Sequence, residues 1–115
     1  MIFKKVNIYI DASACKALSD AVIDQSFHYA NVQAFDITTV FQSRIYAQVL
    51  YCLWQRLQRK QLTYLHQKRS KMRSFTLNQI EAATLFNCFG IDSCVDTYTR
   101  QVLNNINETI HQTLL

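Results

Sequence analysis

Residues 38–73, TTVFQSRIYAQVLYCLWQRLQRKQLTYLHQKRSKMR, decide how this chain folds. Tyr46, Leu50, Leu53, Leu57, Tyr64 and Met72 recur at helical spacing and form one apolar stripe. Phe41, Ile45, Val49 and Cys52 form a second stripe beside it. Arg44, Gln48, Gln55 and Gln58 leave only a narrow polar strip between them. The spacing predicts a long central helix over Thr38–Arg73, on the order of 54 Å as one piece. Its first half is expected to be enclosed by other helices, with Trp54 buried at the centre. Its second half is expected to be covered on one side at most. The apolar pattern thins at Lys60-Gln61, where a break is expected.

Working outward, the 115 residues match one domain, and half of them are hydrophobic. There is no proline, and Gly90 is the sole glycine. A β-rich chain draws its turns from those two residues, so their scarcity argues for helices with short connections. Upstream, Val6, Ile8 and Ile10 alternate with Asn7, Tyr9 and Asp11, the period of a half-buried strand. The same residues also fit a helical face; their β-branched content favours a short strand at residues 4–10. Ser13 is read as the cap of a helix over Ala14–Gln25, with Ser26–Asn31 as a connection and Val32–Phe35 as an optional extended piece. Thr39 and Gln42 have capping-box spacing at the start of the central helix.

Downstream, Ser70–Ser74 reads as a turn, and Thr76 with Gln79 repeats the capping-box spacing. The helix so opened runs to Phe89 with Leu77, Ile80, Ala83, Leu85, Phe86 and Phe89 as burial candidates, and Gly90 stands at its C-cap. Asp92 or Ser93 caps a last helix that turns Val95, Tyr98, Val102, Ile106 and Ile110 inward. The expected fold is therefore mainly α, residues 1–115 forming a single helical domain. It is a small bundle of three to four helices around a long central one, with one short N-terminal strand.

Charge is distributed unevenly. Residues 1–36 carry three lysines against four aspartates, residues 81–115 carry Arg100 against four acids, and residues 37–80 hold eight basic residues and no acid. Such asymmetry points to an anionic partner for the middle of the chain. Arg56, Arg59, Lys60, Lys68, Arg69, Lys71 and Arg73 are the candidate binding residues, with Thr63, Gln67 and Ser70 among them. A row of cations at helical spacing suits phosphates along a nucleic-acid backbone. The bland alternative is a solvated face, or one that balances Glu81, Asp92, Asp96 and Glu108 within the fold.

Other chemistry has thinner support. Cys15, Cys52, Cys88 and Cys94 show no CxxC and no histidine at ligand spacing, so free thiols in a cytoplasm are expected, with no metal and no cofactor. Arg44, Arg56 and several glutamines interrupt the most apolar window, which marks a core helix rather than a membrane span. A helix–turn–helix over Thr76–Asn105 is disfavoured by its spacing and its acidity. An apolar strand ending in Asp11, joined by Asp92 and Asp96, would suit a metal-dependent nuclease, but such folds need several parallel strands. His28, His66 and His111 are too scattered to suggest nucleophilic catalysis. The leading reading is a small non-enzymatic binding or assembly protein, adaptor-like or inhibitor-like, that docks a protein partner or its own copy. The alternative is a nucleic-acid backbone binder using the Arg56–Arg73 face, as a small subunit of a nucleoprotein complex.

Overall fold

The computed structural model describes residues 4–65, 72–89 and 96–114. Along the chain these form β1 (Val6–Ile10), α1 (Ala12–Ala30), α2 (Ile37–Leu65), β2 (Arg73–Leu77), α3 (Gln79–Cys88) and α4 (Thr97–Leu114). The chain is mainly α around the long central helix α2, as its periodicity requires. At 29 residues α2 is about 43 Å long.

The alternation at the N-terminus does make a strand, with Val6, Ile8 and Ile10 buried and Asn7 and Tyr9 exposed. Its partner is β2, antiparallel, with Val6 opposite Leu77, Ile8 opposite Phe75 and Ile10 opposite Arg73. The turn expected at Ser70–Ser74 thus gives way to a strand from Arg73 onward, and Val32–Phe35 forms none. A lone strand leaves its backbone groups unpaired, and β2 supplies the second ladder from far along the chain. Thr76 is drawn into that ladder, its hydroxyl donating to the Asn7 side chain at 2.8 Å. The capping box of α3 consequently falls on Asn78 and Glu81 rather than Thr76 and Gln79. The Asn78 side chain accepts from the Glu81 N–H at 2.7 Å, and Glu81 accepts from the Asn78 N–H at 3.0 Å.

The three other helix starts each follow an aspartate side chain. Asp11, not Ser13, caps α1 by accepting from the Ala14 N–H. Asp36, not Thr39, opens α2, accepting from the Thr38 N–H and the Thr39 hydroxyl. Asp96 accepts from the Thr99 N–H at 2.7 Å ahead of α4; this backbone donor lowers its carboxyl pKa. Gly90, Ile91, Asp92, Ser93 and Val95 lie outside the described residues.

Helix α1 runs to Ala30, past the expected end at Gln25, because its last turns are tied to α2. Ser26 donates to the Ala47 carbonyl at 2.8 Å, and Arg44 reaches the Tyr29 carbonyl at 2.9 Å. Nearer the other end, Gln58 donates to Ser19, and the Cys15 thiol lies on the Leu57 carbonyl. These pairs run in opposite directions along the two helices, so α1 and α2 form an antiparallel hairpin. The far end of α2 is pinned by the Tyr64 hydroxyl, which donates to the carbonyl of Ile10 in β1. That anchor lies beyond Lys60-Gln61, where the helix continues instead of breaking.

One apolar cluster joins all six elements. It includes Val6 and Ile8 of β1, Leu18 and Val22 of α1, Leu50, Leu53 and Leu57 of α2, Leu77 of β2, Leu85 of α3 and Ile106 of α4. The first stripe of α2 therefore faces the core as expected, except that Tyr46 is only half-buried and Met72 is exposed. Trp54 is not at the centre: it is half-buried against the edge of the cluster, tilted against Tyr51. In α3, Ile80, Ala83 and Phe86 are exposed, while Ala82, Leu85 and Cys88 face inward. Thr99, Leu103, Ile106 and Ile110 bury one side of α4, leaving Val102 half-buried and Tyr98 exposed. No helix among the described residues is long and apolar enough to cross a membrane.

Candidate functional site

Of the seven basic positions expected to face an anionic partner, the four described ones do not form one row. Arg56 is committed to the fold. Its Nη1 donates to both carboxylate oxygens of Glu81, at 2.5 and 2.6 Å, and its Nη2 donates to the Thr76 carbonyl at 2.6 Å. The guanidinium also lies 4.7 Å from the centroid of the Phe75 ring, within cation–π range. Glu81 is almost wholly enclosed, and a carboxylate in that position requires a paired cation. Arg56 thus staples α2 to the β2–α3 junction. Arg73 sits on β2, half-buried on the same side of the strand as Phe75 and Leu77, with its Nε buried and without a hydrogen-bond partner among the described residues. Lys68, Arg69 and Lys71 lie outside the described residues.

Arg59 and Lys60 remain. With Arg56, Thr63 and Phe75 they line an open groove of about 270 Å³. Arg59 is exposed and Lys60 half-buried, so this groove presents cations to solvent beside an aromatic floor.

The expected second apolar stripe of α2 leads elsewhere. Helix α1 packs along the side marked by Arg44, Ala47 and Gln58, while α3 and β2 pack along the side marked by Arg56. Neither covers the face between them, so the first half of α2 is not enclosed. Phe41 is 62% exposed and Ile45 59%, and Ile37, Cys52 and Leu62 are exposed as well; Val49 is half-buried. Phe35, immediately before the helix, is fully exposed, and so is much of Phe27 in the last turn of α1. Burying these side chains would be worth about 25 cal/mol per Å² of apolar surface, and here that gain is not taken. Sequence reasoning assigned Phe41 and Ile45 to the core because they share the helical period of core residues. Gln48 and Gln55, in line with them on the helix, were the local sign that this face meets water.

The acids considered for a metal-dependent site have structural tasks. Asp11 and Asp96 cap helices, and Asp92 lies outside the described residues. Among the described residues, no group of three or more His, Cys, Asp or Glu side chains comes together as a metal set would. Cys15, Cys52 and Cys88 are free thiols, the first and last buried and Cys52 exposed; Cys94 is outside the described residues. Burial pushes the thiols of Cys15 and Cys88 up to about 11, which keeps them protonated and unreactive. Burial also raises Tyr29 to about 12, helped by the neighbouring Cys88.

No protein-family model, curated protein or solved structure matches this chain. Its class is therefore defined by its own architecture: among the described residues, four helices and two strands, with one long face of the central helix left uncovered.

Proposed function

We propose that this chain is a small non-enzymatic docking or assembly protein. It binds a protein partner, or a second copy of itself, through the outer face of α2, in a reducing cytoplasm. The observation that carries this reading is the set of large apolar side chains, Phe41, Ile45 and Leu62, left in water on one face of the central helix. Large apolar side chains aligned on one exposed face mark contact sites more often than single ones scattered over a surface. The free thiols at Cys15, Cys52 and Cys88 support the compartment.

A photo-crosslinking residue at position 48, in the middle of that face, tests the reading in the native host. Cross-linked species of discrete mass are expected there and not from position 20 on the opposite helix. They should vanish when Phe41 and Ile45 are both changed to Gln. Equal labelling at both positions would refute it.

The second reading, binding to a nucleic-acid backbone, keeps one supporting observation, the groove at Arg59, Lys60 and Thr63. It is weakened because Arg56 is spent on Glu81 and Arg73 lies on β2. It predicts a mobility shift with DNA or RNA whose affinity falls steeply with salt, and a slope reduced by about one when Arg59 is changed to Gln.

A further inference from the structure

The exposed positions along the outer face of α2 are Phe41, Ile45, Gln48, Cys52, Gln55, Arg59 and Leu62. Their spacing alternates strictly, four then three, over about three heptads. This is the spacing of a seam that packs side by side against another helix, a single residue wide. Its apolar members sit at the two ends, and the polar members between them are uncharged apart from Arg59.

The charge around the seam selects among occupants. From Ile37 to Leu65 the helix carries Arg44, Arg56, Arg59 and Lys60 and no acid. Among the described residues, only Arg56 has an ion-pair partner, Glu81. Arg44 and Arg56 stand immediately beside the seam, on opposite flanks, where coiled-coil partners place the charges that choose one another. A second copy would bring the same cations along the same seam with no acid to meet them, and like charges there repel. A lipid surface would need a broad, continuous apolar face, and Gln48, Cys52, Gln55 and Arg59 interrupt this one. A nucleic-acid backbone offers no apolar surface to pair with Ile45 and Leu62, and the neutral Gln48, Cys52 and Gln55 between the ends provide no row of cations for its phosphates.

Building on the docking function above, we infer that the outer face of α2 receives an acidic amphipathic helix of another protein. That helix lays apolar residues on Phe41, Ile45 and Leu62 and carboxylates toward Arg44, Arg59 and Lys60.

Two designed helical peptides of about four heptads, both with Leu in the core positions, provide the probe. One carries Glu at all flanking positions and the other Lys. The acidic peptide is expected to bind the full chain, and the basic one to bind at least roughly tenfold more weakly, a difference of about 1.4 kcal/mol. Raising salt to about 0.5 M should weaken the acidic peptide, because these charges are exposed. Changing Phe41 and Ile45 together to Gln should abolish binding, and Arg59→Gln should reduce it. All three positions are on the surface, so the thermal midpoint of each variant should match the parent. Cys52 lies within the seam, and its alkylation rate should fall when the acidic peptide is bound. Equal binding of the two peptides, unaltered alkylation of Cys52, or a stable dimer of the chain alone that the Phe41/Ile45 change dissociates would each overturn the inference. If the peptides fail while cross-links at position 48 persist, the docking surface stands and only its occupant is wrong.

Discussion

Replacing Arg56 by Met separates a structural arginine from a ligand-binding one. In the parent chain the guanidinium meets both oxygens of Glu81, the Thr76 carbonyl and the face of Phe75. Methionine preserves helix propensity and much of the side-chain volume, so the loss is mainly electrostatic. Glu81 is left with one donor, the Asn78 N–H, in a position where its side chain is 7% exposed. Removing one partner of a buried pair costs about 3–5 kcal/mol. The Arg56 side chain is 39% exposed, so water already screens part of the attraction, and about 2–3 kcal/mol is the expected loss. At this chain length that corresponds to a fall in thermal midpoint of roughly 10 °C. Glu81→Gln should cost less, about 1 kcal/mol, because the amide oxygen keeps the cap and Arg56 keeps Thr76 and solvent. Urea unfolding of both variants and of the double variant measures the coupling directly, and it should exceed about 1 kcal/mol. Arg59→Met is the control, with an expected change within about 0.5 kcal/mol. If Arg56→Met is as mild as Arg59→Met, the staple is not real, and Arg56 returns to the anion-binding face.

Leu53→Ala empties a fully buried site and should cost about 2–5 kcal/mol, whereas Trp54→Ala, at the half-buried edge, should cost less, about 1–3 kcal/mol. Denaturant melts rank the two, and the reverse order would move Trp54 to the centre. Alkaline pH should destabilise the fold. Cys15 and Cys88 ionise at about 11 when folded and near 9 when unfolded, so their contribution is intact below about pH 9 and is lost as pH climbs toward 11. Unfolding free energies from urea melts across that range should fall by on the order of 1 kcal/mol per pH unit for each thiol, and less steeply in Cys15→Ala.

What the sequence determined by itself is whatever depends on neighbours a few residues away. The helical period of Leu50, Leu53, Leu57 and Tyr64 needs no tertiary partner to be recognised, and those four side chains are buried. The two-residue alternation of Val6, Ile8 and Ile10 is equally local, and it makes a strand. Which residues pair with that strand is a different matter. Val6 meets Leu77 across most of the chain, and no pattern at Arg73–Leu77 announces it, since Thr76 and Gln79 also satisfy a capping rule. Pairing in space outweighed that rule by committing Thr76 to Asn7 and moving the cap to Asn78. Much the same holds for the two apolar stripes of α2, which share the helical period and differ locally only in the Gln48 and Gln55 that lie in line with the second. Only the placement of α1 on one flank and of β2 and α3 on the other decided that Leu53 is enclosed while Phe41 and Ile45 face water. The fate of Arg56 was settled the same way. Its charge is written in the sequence, but whether it serves a ligand or the fold depended on Glu81, which comes within 2.5 Å only once α3 has packed against α2.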